Sequence, residues 1–156
     1  MIVIPTLEPQ EKLASIALDT ASKLGATVVQ FRVAVHDSRG VSLRDGEVEN
    51  IGADTSIAMS VRVVHSGAWG FAATTDLSIP GAIDAANRAI QMAKLSSLVA
   101  SEAVTLAPEP VHGVQTWTLP IEIDAFAKSD DEIVAFLQDW NSKLSGASII
   151  SHIESN

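Results

Sequence analysis

Cysteine is absent from the 156-residue chain, and that one absence removes disulfides, thiolate metal sites and a cysteine nucleophile together. The usage fits a reducing compartment, and a cytoplasmic location is the expectation. Aromatic residues make up only 4% of a chain that is 47% hydrophobic, so a core has to be assembled mainly from Ala, Val, Ile and Leu, as suits helices laid on a sheet. Basic residues are scarce as well, with 10 Lys and Arg against 19 Asp and Glu and a formal net charge of −9. That field repels a polyanion at long range and no basic stripe reverses it locally, which argues against direct contact with nucleic acid or with an anionic membrane. No run approaches the roughly 20 apolar residues that cross a bilayer. The apolar opening Met1-Ile2-Val3-Ile4-Pro5 lacks a basic flank and is too short for a signal segment.

Chemical motifs are missing too. His36, His65, His112 and His152 lie far apart, and no two have the i, i+4 spacing that sets zinc ligands on one helical face. Surface histidines are therefore the simpler reading. The acidic groups Asp45, Glu47, Glu49 and Asp130, Asp131, Glu132 read as a solvated hairpin edge and as a helix start, where the macrodipole favours negative charge. Neither phosphate-cradling glycine pattern occurs. From residues alone, no catalytic and no metal-binding position is assigned, and a small-molecule enzyme using only carboxylates has little to support it.

What is present is periodicity. Leu13, Ile16, Ala17, Ala21 and Leu24 recur at helical spacing between Pro9 and Gly25, the usual punctuation of a helix. The period then changes to two: Val29, Phe31, Val33 and Val35 alternate with polar or small residues, as a half-buried strand requires. The turn signal Asp37-Ser38-Arg39-Gly40 is read as the end of that strand. Val41 and Leu43 resume the alternation up to Asp45-Gly46, a strong two-residue hairpin signal because a type I′ turn needs positive φ at both central positions. Ile57, Met59, Val61 and Val63 alternate again, Ser66-Gly67 gives another turn, and Trp69, Phe71 and Ala73 follow on one face. The reading is a four-stranded antiparallel meander between about residues 27 and 74, because short connections force antiparallel neighbours.

Ser78 can cap the next helix, with Pro80 in its first turn and a stripe of Ile79, Ile83, Ala86, Ile90 and Ala93. Pro108 and Pro110 mark an extended connection. Ser129-Asp130-Asp131-Glu132 has the form of a capping box ahead of Ile133, Phe136, Leu137, Trp140 and Leu144. Residues 147–153 read as a last strand, and a strand starting where the chain stops suggests a piece of a longer polypeptide. The fold class is thus α+β: a mainly antiparallel four-stranded meander with helices on one face, plus a C-terminal helix and strand. At this length, residues 1–156 make one domain burying roughly 70% of the unfolded surface.

One segment invites a functional reading. In Gly67-Ala68-Trp69-Gly70-Phe71-Ala72, glycines stand in a strand, where they cost stability and signal close backbone approach. One reading makes Trp69 and Phe71 core residues, with Gly70 making room for a packed helix. Alternatively, this edge or face receives an extended peptide or another subunit.

The ordered set of these pieces resembles the N-terminal domain of the TldD/PmbA family, zinc peptidases once named modulators of DNA gyrase. The residues that carry the resemblance are Ser22-Lys23-Leu24-Gly25-Ala26, the hairpin Ser42-Leu43-Arg44-Asp45-Gly46-Glu47-Val48-Glu49, Ser60-Val61-Arg62-Val63 and the run from Gly67 to Ser78. Leu106-Ala107-Pro108-Glu109-Pro110 and the segment from Trp117 to Phe126 continue it. Ala125 stands where the family's Asp-Pro-Phe element has proline. The resemblance implies a two-part protein, whose β-rich C-terminal portion carries H-E-x-x-x-H and a further cysteine ligand for zinc. This sequence has neither motif, so no catalytic residue carries over and zinc is expected in the other portion. Also implied are a homodimer, or a heterodimer with a related subunit, and an unfolded peptide as substrate. The expected role is substrate admission and subunit assembly, with Arg44, Asp45, Gly46, Trp69, Gly70 and Phe71 as candidate peptide or partner contacts. The alternative is a free-standing peptide- or protein-binding adaptor.

Overall fold

A computed structural model describes residues 9–146 and 152–155. In chain order they form α1 (Gln10–Lys23), β1 (Val28–Arg44), β2 (Glu47–His65), β3 (Ala68–Thr74), α2 (Ile79–Ser97), a short 3-10 turn (Ala125–Ala127), α3 (Asp130–Ser145) and β4 (Glu154–Ser155). The strands make one four-stranded antiparallel sheet in the order β3-β2-β1-β4, and the class is α+β as the periodicity indicates. Of the expected last strand, 147–153, residues 147–151 lie outside the described residues and His152 and Ile153 are not in a strand; the short β4 just beyond them pairs with β1 at Leu43 opposite Ser155 and Arg44 opposite Glu154.

Both expected two-residue hairpin turns form, and positive φ, demanded at Asp45-Gly46, is found at each. Asp45 and Gly46 have φ of 50° and 88°, and Ser66 and Gly67 have 51° and 73°, the left-handed pair that type I′ geometry needs. The expected turn at Asp37-Ser38-Arg39-Gly40 does not form. β1 runs unbroken for 17 residues and β2 for 19, and neither Gly40 nor its neighbours takes a positive φ. Polar residues there reflect solvent exposure of an extended ribbon instead of a chain reversal.

The chain divides into two compact units, Met1–His36 with Ser56–Pro110 and Asp37–Thr55 with Val111–Asn156. In the first, α1 and α2 cover one sheet face. Leu13, Ala17 and Ala21 of α1 meet Ala82, Ala85, Ala86, Ala89, Ile90 and Ala93 of α2 over Met59, Val61, Val63 and Ala72. Val29, Phe31 and Val33 complete that face, as their alternation foretells. The buried stripe of α2 is rotated from the expected one: Ile83 is 39% exposed while Ala82, Ala85 and Ala89 are fully buried. The cause lies opposite. A Cβ on Gly70 would stand 1.9 Å from the Ala89 carbonyl oxygen and 2.5 Å from the Ala93 nitrogen, so only small residues on α2 fit against β3. Ser78 caps this helix by accepting the Gly81 N–H at 3.2 Å.

In the second unit, Val41 and Leu43 pack on Leu137 of α3, with Ile133 and Val134 alongside. Its start is a full capping box. The Ser129 hydroxyl accepts the Glu132 N–H at 3.2 Å and the Glu132 carboxylate accepts the Ser129 N–H at 2.8 Å. Those bonds, the Ser129 N–H first and the Lys128 ammonium next, hold the Glu132 carboxyl below its ordinary value. No helix among the described residues is long and apolar enough to cross a membrane.

Candidate functional site

The six residues singled out from the sequence fall in both units. Arg44, Asp45 and Gly46 form the tip of the β1–β2 hairpin in the second, while Trp69, Gly70 and Phe71 lie on β3 in the first.

On β3 the pleat separates them. Ala68, Gly70 and Ala72 are buried beneath α2, whereas Trp69 is half-buried and Phe71 is 57% exposed on the opposite face. Trp69 and Phe71 are therefore not core residues, although Gly70 does make room for a packed helix. The reason is the strict period of two: once Gly70 faces α2, its neighbours must face away. On that outer face Phe71 stands across from Arg62 and Trp69 across from Val64. The Arg62 guanidinium lies 4.6 Å from the Trp69 ring centroid, a cation–π contact. Its Nε donates to Gln30 Oε1 at 2.7 Å. Gln30 and Arg62 were not singled out from the sequence, yet the signal was there: each is the polar alternate of a buried run, Val29 to Phe31 and Val61 to Val63.

The edge of the sheet follows from the turn. In a two-residue hairpin the flanking residues, here His65 and Ala68, form a hydrogen-bonded pair, and such pairs alternate along the ladder. Val63 with Gly70 and Val61 with Ala72 are then the bonded pairs. The main-chain groups of Trp69, Phe71 and Ala73 consequently point away from β2, and β3 is an outer strand of the sheet among the described residues. Beyond α2 the chain returns beside this strand: the Val104 N–H donates to the Gly67 carbonyl at 2.8 Å. The segment from Leu106 to Glu109, with Trp69, Arg62 and Gln30, encloses an open cavity of about 420 Å³.

The hairpin tip is occupied differently. The Asp45 carboxylate accepts the Ile153 N–H at 3.0 Å and lies 3.0 Å from His152 Nδ1, and the Asp45 N–H donates to the Ile153 carbonyl at 3.0 Å. The bond with His152, followed by that with the Ile153 N–H, lowers the Asp45 pKa below its ordinary value. Arg44 pairs with Glu49 and with Glu154, each at 3.1 Å. The Gly46 carbonyl accepts from Gln138 Nε2 of α3 at 3.1 Å. These three residues bind neighbouring strands and α3 of their own unit.

A second cavity in the same unit, about 920 Å³, is bounded by Val41, Ile123, Phe126, Ile133, Phe136 and Leu137 among others. It was not read from the sequence, where Phe136 and Trp140 count simply as part of the apolar stripe of α3; Phe136 is 61% exposed and Trp140 50%. Asp124 folds the adjoining 3-10 turn by accepting the Phe126 N–H at 2.9 Å, without the proline expected at Ala125. Among the described residues no three His, Cys, Asp or Glu side chains converge to hold a metal ion, so the donors present here do not fit a zinc site.

The family model described as PmbA/TldA metallopeptidase domain 1 matches residues 29–93. The chain belongs to the PmbA/TldD family. It is 32% identical over 117 residues to the metalloprotease PmbA of Escherichia coli O157:H7, an alignment covering 73% of this chain and 24% of that protein. Among solved structures, a candidate modulator of DNA gyrase from Bacteroides thetaiotaomicron superposes with a TM-score of 0.65 at 16% identity, over 92% of this chain and 33% of the other. TldE from Thermococcus kodakarensis gives 0.56 at 17% identity, over 86% of this chain and 28% of the other. At such identities the two structures speak for a shared fold. The PmbA/TldD relatives are three to four times as long as the segment they share with this chain.

Proposed function

We propose that this chain is the non-catalytic N-terminal domain of a PmbA/TldD-type zinc metallopeptidase, admitting an extended peptide and contributing to subunit assembly. The observation that carries this reading is the outward-directed main chain of Trp69, Phe71 and Ala73 on a strand packed closely against α2. An added strand gains affinity from main-chain hydrogen bonds whatever its sequence, while Trp69 and Phe71 offer apolar surface to alternate side chains. Zinc and the residues that activate water on it belong, in this reading, to the portion that the longer relatives carry beyond the shared segment.

Proline separates edge pairing from folding. Phe71→Pro removes an N–H that points away from β2, whereas Ala72→Pro removes one from the ladder. The expected result is that Phe71→Pro retains the native circular dichroism and loses binding of a labelled, capped, unstructured peptide, while Phe71→Ala retains most of it. Undiminished binding by Phe71→Pro defeats the edge as the site. Chelator-sensitive turnover of the same peptide by the 156-residue chain with added zinc would defeat the non-catalytic reading.

A further inference from the structure

The strongest unassigned feature is the guanidinium of Arg62. Its Nε donates to Gln30 and its Cζ lies over the Trp69 ring, 4.6 Å from the centroid, yet its two Nη groups have no partner among the described residues. Two anchors of that kind remove the torsional freedom that an exposed arginine ordinarily keeps, so little is left to order when a ligand arrives. Arg62, Gln30 and Trp69 border the cavity of about 420 Å³, whose remaining walls are Leu106, Ala107, Pro108 and Glu109. A held guanidinium fork beside an apolar wall is suited to a planar anion carrying a hydrocarbon body.

We propose that this cavity binds a carboxylate attached to an apolar group, as at the C-terminal residue of a peptide. The inference rests on the peptide-handling reading and names the group recognised. The carboxylate receives two N–H bonds from Arg62, and the side chain next to it lies on Trp69, Leu106 and Pro108. Glu109 limits the charge that the cavity accepts, since a dianion such as phosphate meets its carboxylate as well as the net charge of −9. An internal Asp or Glu side chain offers the same carboxylate without the adjoining apolar group, and is the second source to be told apart.

The experiment follows the Trp69 indole and Arg62 Nε–H resonances of the 156-residue chain during titration with four probes: N-acetyl-leucine, N-acetyl-leucinamide, N-acetyl-glutamate α-amide and inorganic phosphate. N-acetyl-leucine is expected to saturate with a Kd on the order of millimolar, as befits a small ligand held by one fork. Loss of the carboxylate in the amide, or of the fork in Arg62→Lys and Arg62→Gln, should weaken binding by about tenfold, the size of a lost charge-assisted bond. Glu109→Gln should tighten it by about twofold to fivefold, as removal of one exposed like charge does. Equal binding of the amide, equal binding by Arg62→Gln with native circular dichroism, tighter binding of phosphate, or no saturable shift at either resonance each overturns the proposal. The glutamate probe binding as well as N-acetyl-leucine overturns the assignment to a C-terminal residue. If the capped peptide still binds while N-acetyl-leucine does not, only the carboxylate site fails and edge pairing stands; failure of both removes the peptide-handling reading with it.

Discussion

Gly70 is a position where a single methyl group decides whether two elements can touch. The hydrogen that faces α2 leaves its backbone against the Ala89 carbonyl oxygen and the Ala93 nitrogen, atoms that cannot rotate away as a flexible side chain would. Gly70→Ala is therefore expected to cost roughly 1–3 kcal/mol or more through overpacking, read as a lower urea midpoint with an unchanged m-value. Trp69→Ala, on the open face of the same strand, should cost less than the roughly 3–5 kcal/mol of a core tryptophan truncation. At the hairpin tip the prediction concerns pH. Asp45 has its pKa lowered by its bonds to His152 and the Ile153 N–H. A carboxyl depressed in the folded state lends stability that is complete above its unfolded value, near 3.8, and disappears as pH falls through the folded value. Exchange protection of the Ile153 amide should accordingly hold at neutral pH and fade in acid, and Asp45→Asn should lack that acid-linked loss.

At the scale of elements, α3 offers the cleanest trial of local chemistry. Its capping box satisfies two end groups of the helix reciprocally, and Ser129→Ala should cost about 1 kcal/mol of stability, measured by thermal unfolding beside a Ser142→Ala control on the helix interior. This box, the Ser78 cap, the I′ turn at Asp45-Gly46 and the presence of a turn at Ser66-Gly67 were legible in the sequence because each is decided within four residues of chain. The long ribbon was not: Asp37-Ser38-Arg39-Gly40 has the composition of a turn, and only pairing with a distant strand keeps it extended. The faces were half legible. Alternation along β1 and β2 sorted Val29, Phe31, Val61 and Val63 correctly, since one valine-rich face had to be inside. In β3 the sequence left Trp69 and Phe71 open between core and exposed contact, and the tight approach of α2, which selects glycine and alanine for its side, decides for the outer face. The same approach turns Ile83 outward and Ala82 inward, a choice that no property of α2 alone contains. Arg62 and Gln30 were legible as outward-facing, but their pairing across strands depends on register and was not.

At the scale of the whole molecule, the two units differ in what holds them. The first has a continuous described core drawn from α1, α2 and the sheet, while that of the second is centred on Val41, Leu43 and Leu137. Local opening free energy follows buried apolar contact. Native-state hydrogen exchange should therefore be slower for amides in the middle of α2 than for those in the middle of α3, and comparable rates would contradict this ordering. The acidic surface and its scarcity of cations make the stacked Arg62 unusual in its surroundings, which is why loss of that one charge is expected to be felt.

The seam between α2 and β3 is built almost entirely from alanine and glycine, residues with no rotamers to freeze. A contact of this sort forms without the ordering penalty that leucines or methionines impose, and it has no alternative side-chain arrangement into which it can relax on warming. The strand that carries Trp69 and Phe71 is thereby seated backbone to backbone. Its outer rim holds the main-chain groups of Trp69, Phe71 and Ala73 at a fixed spacing of two residues.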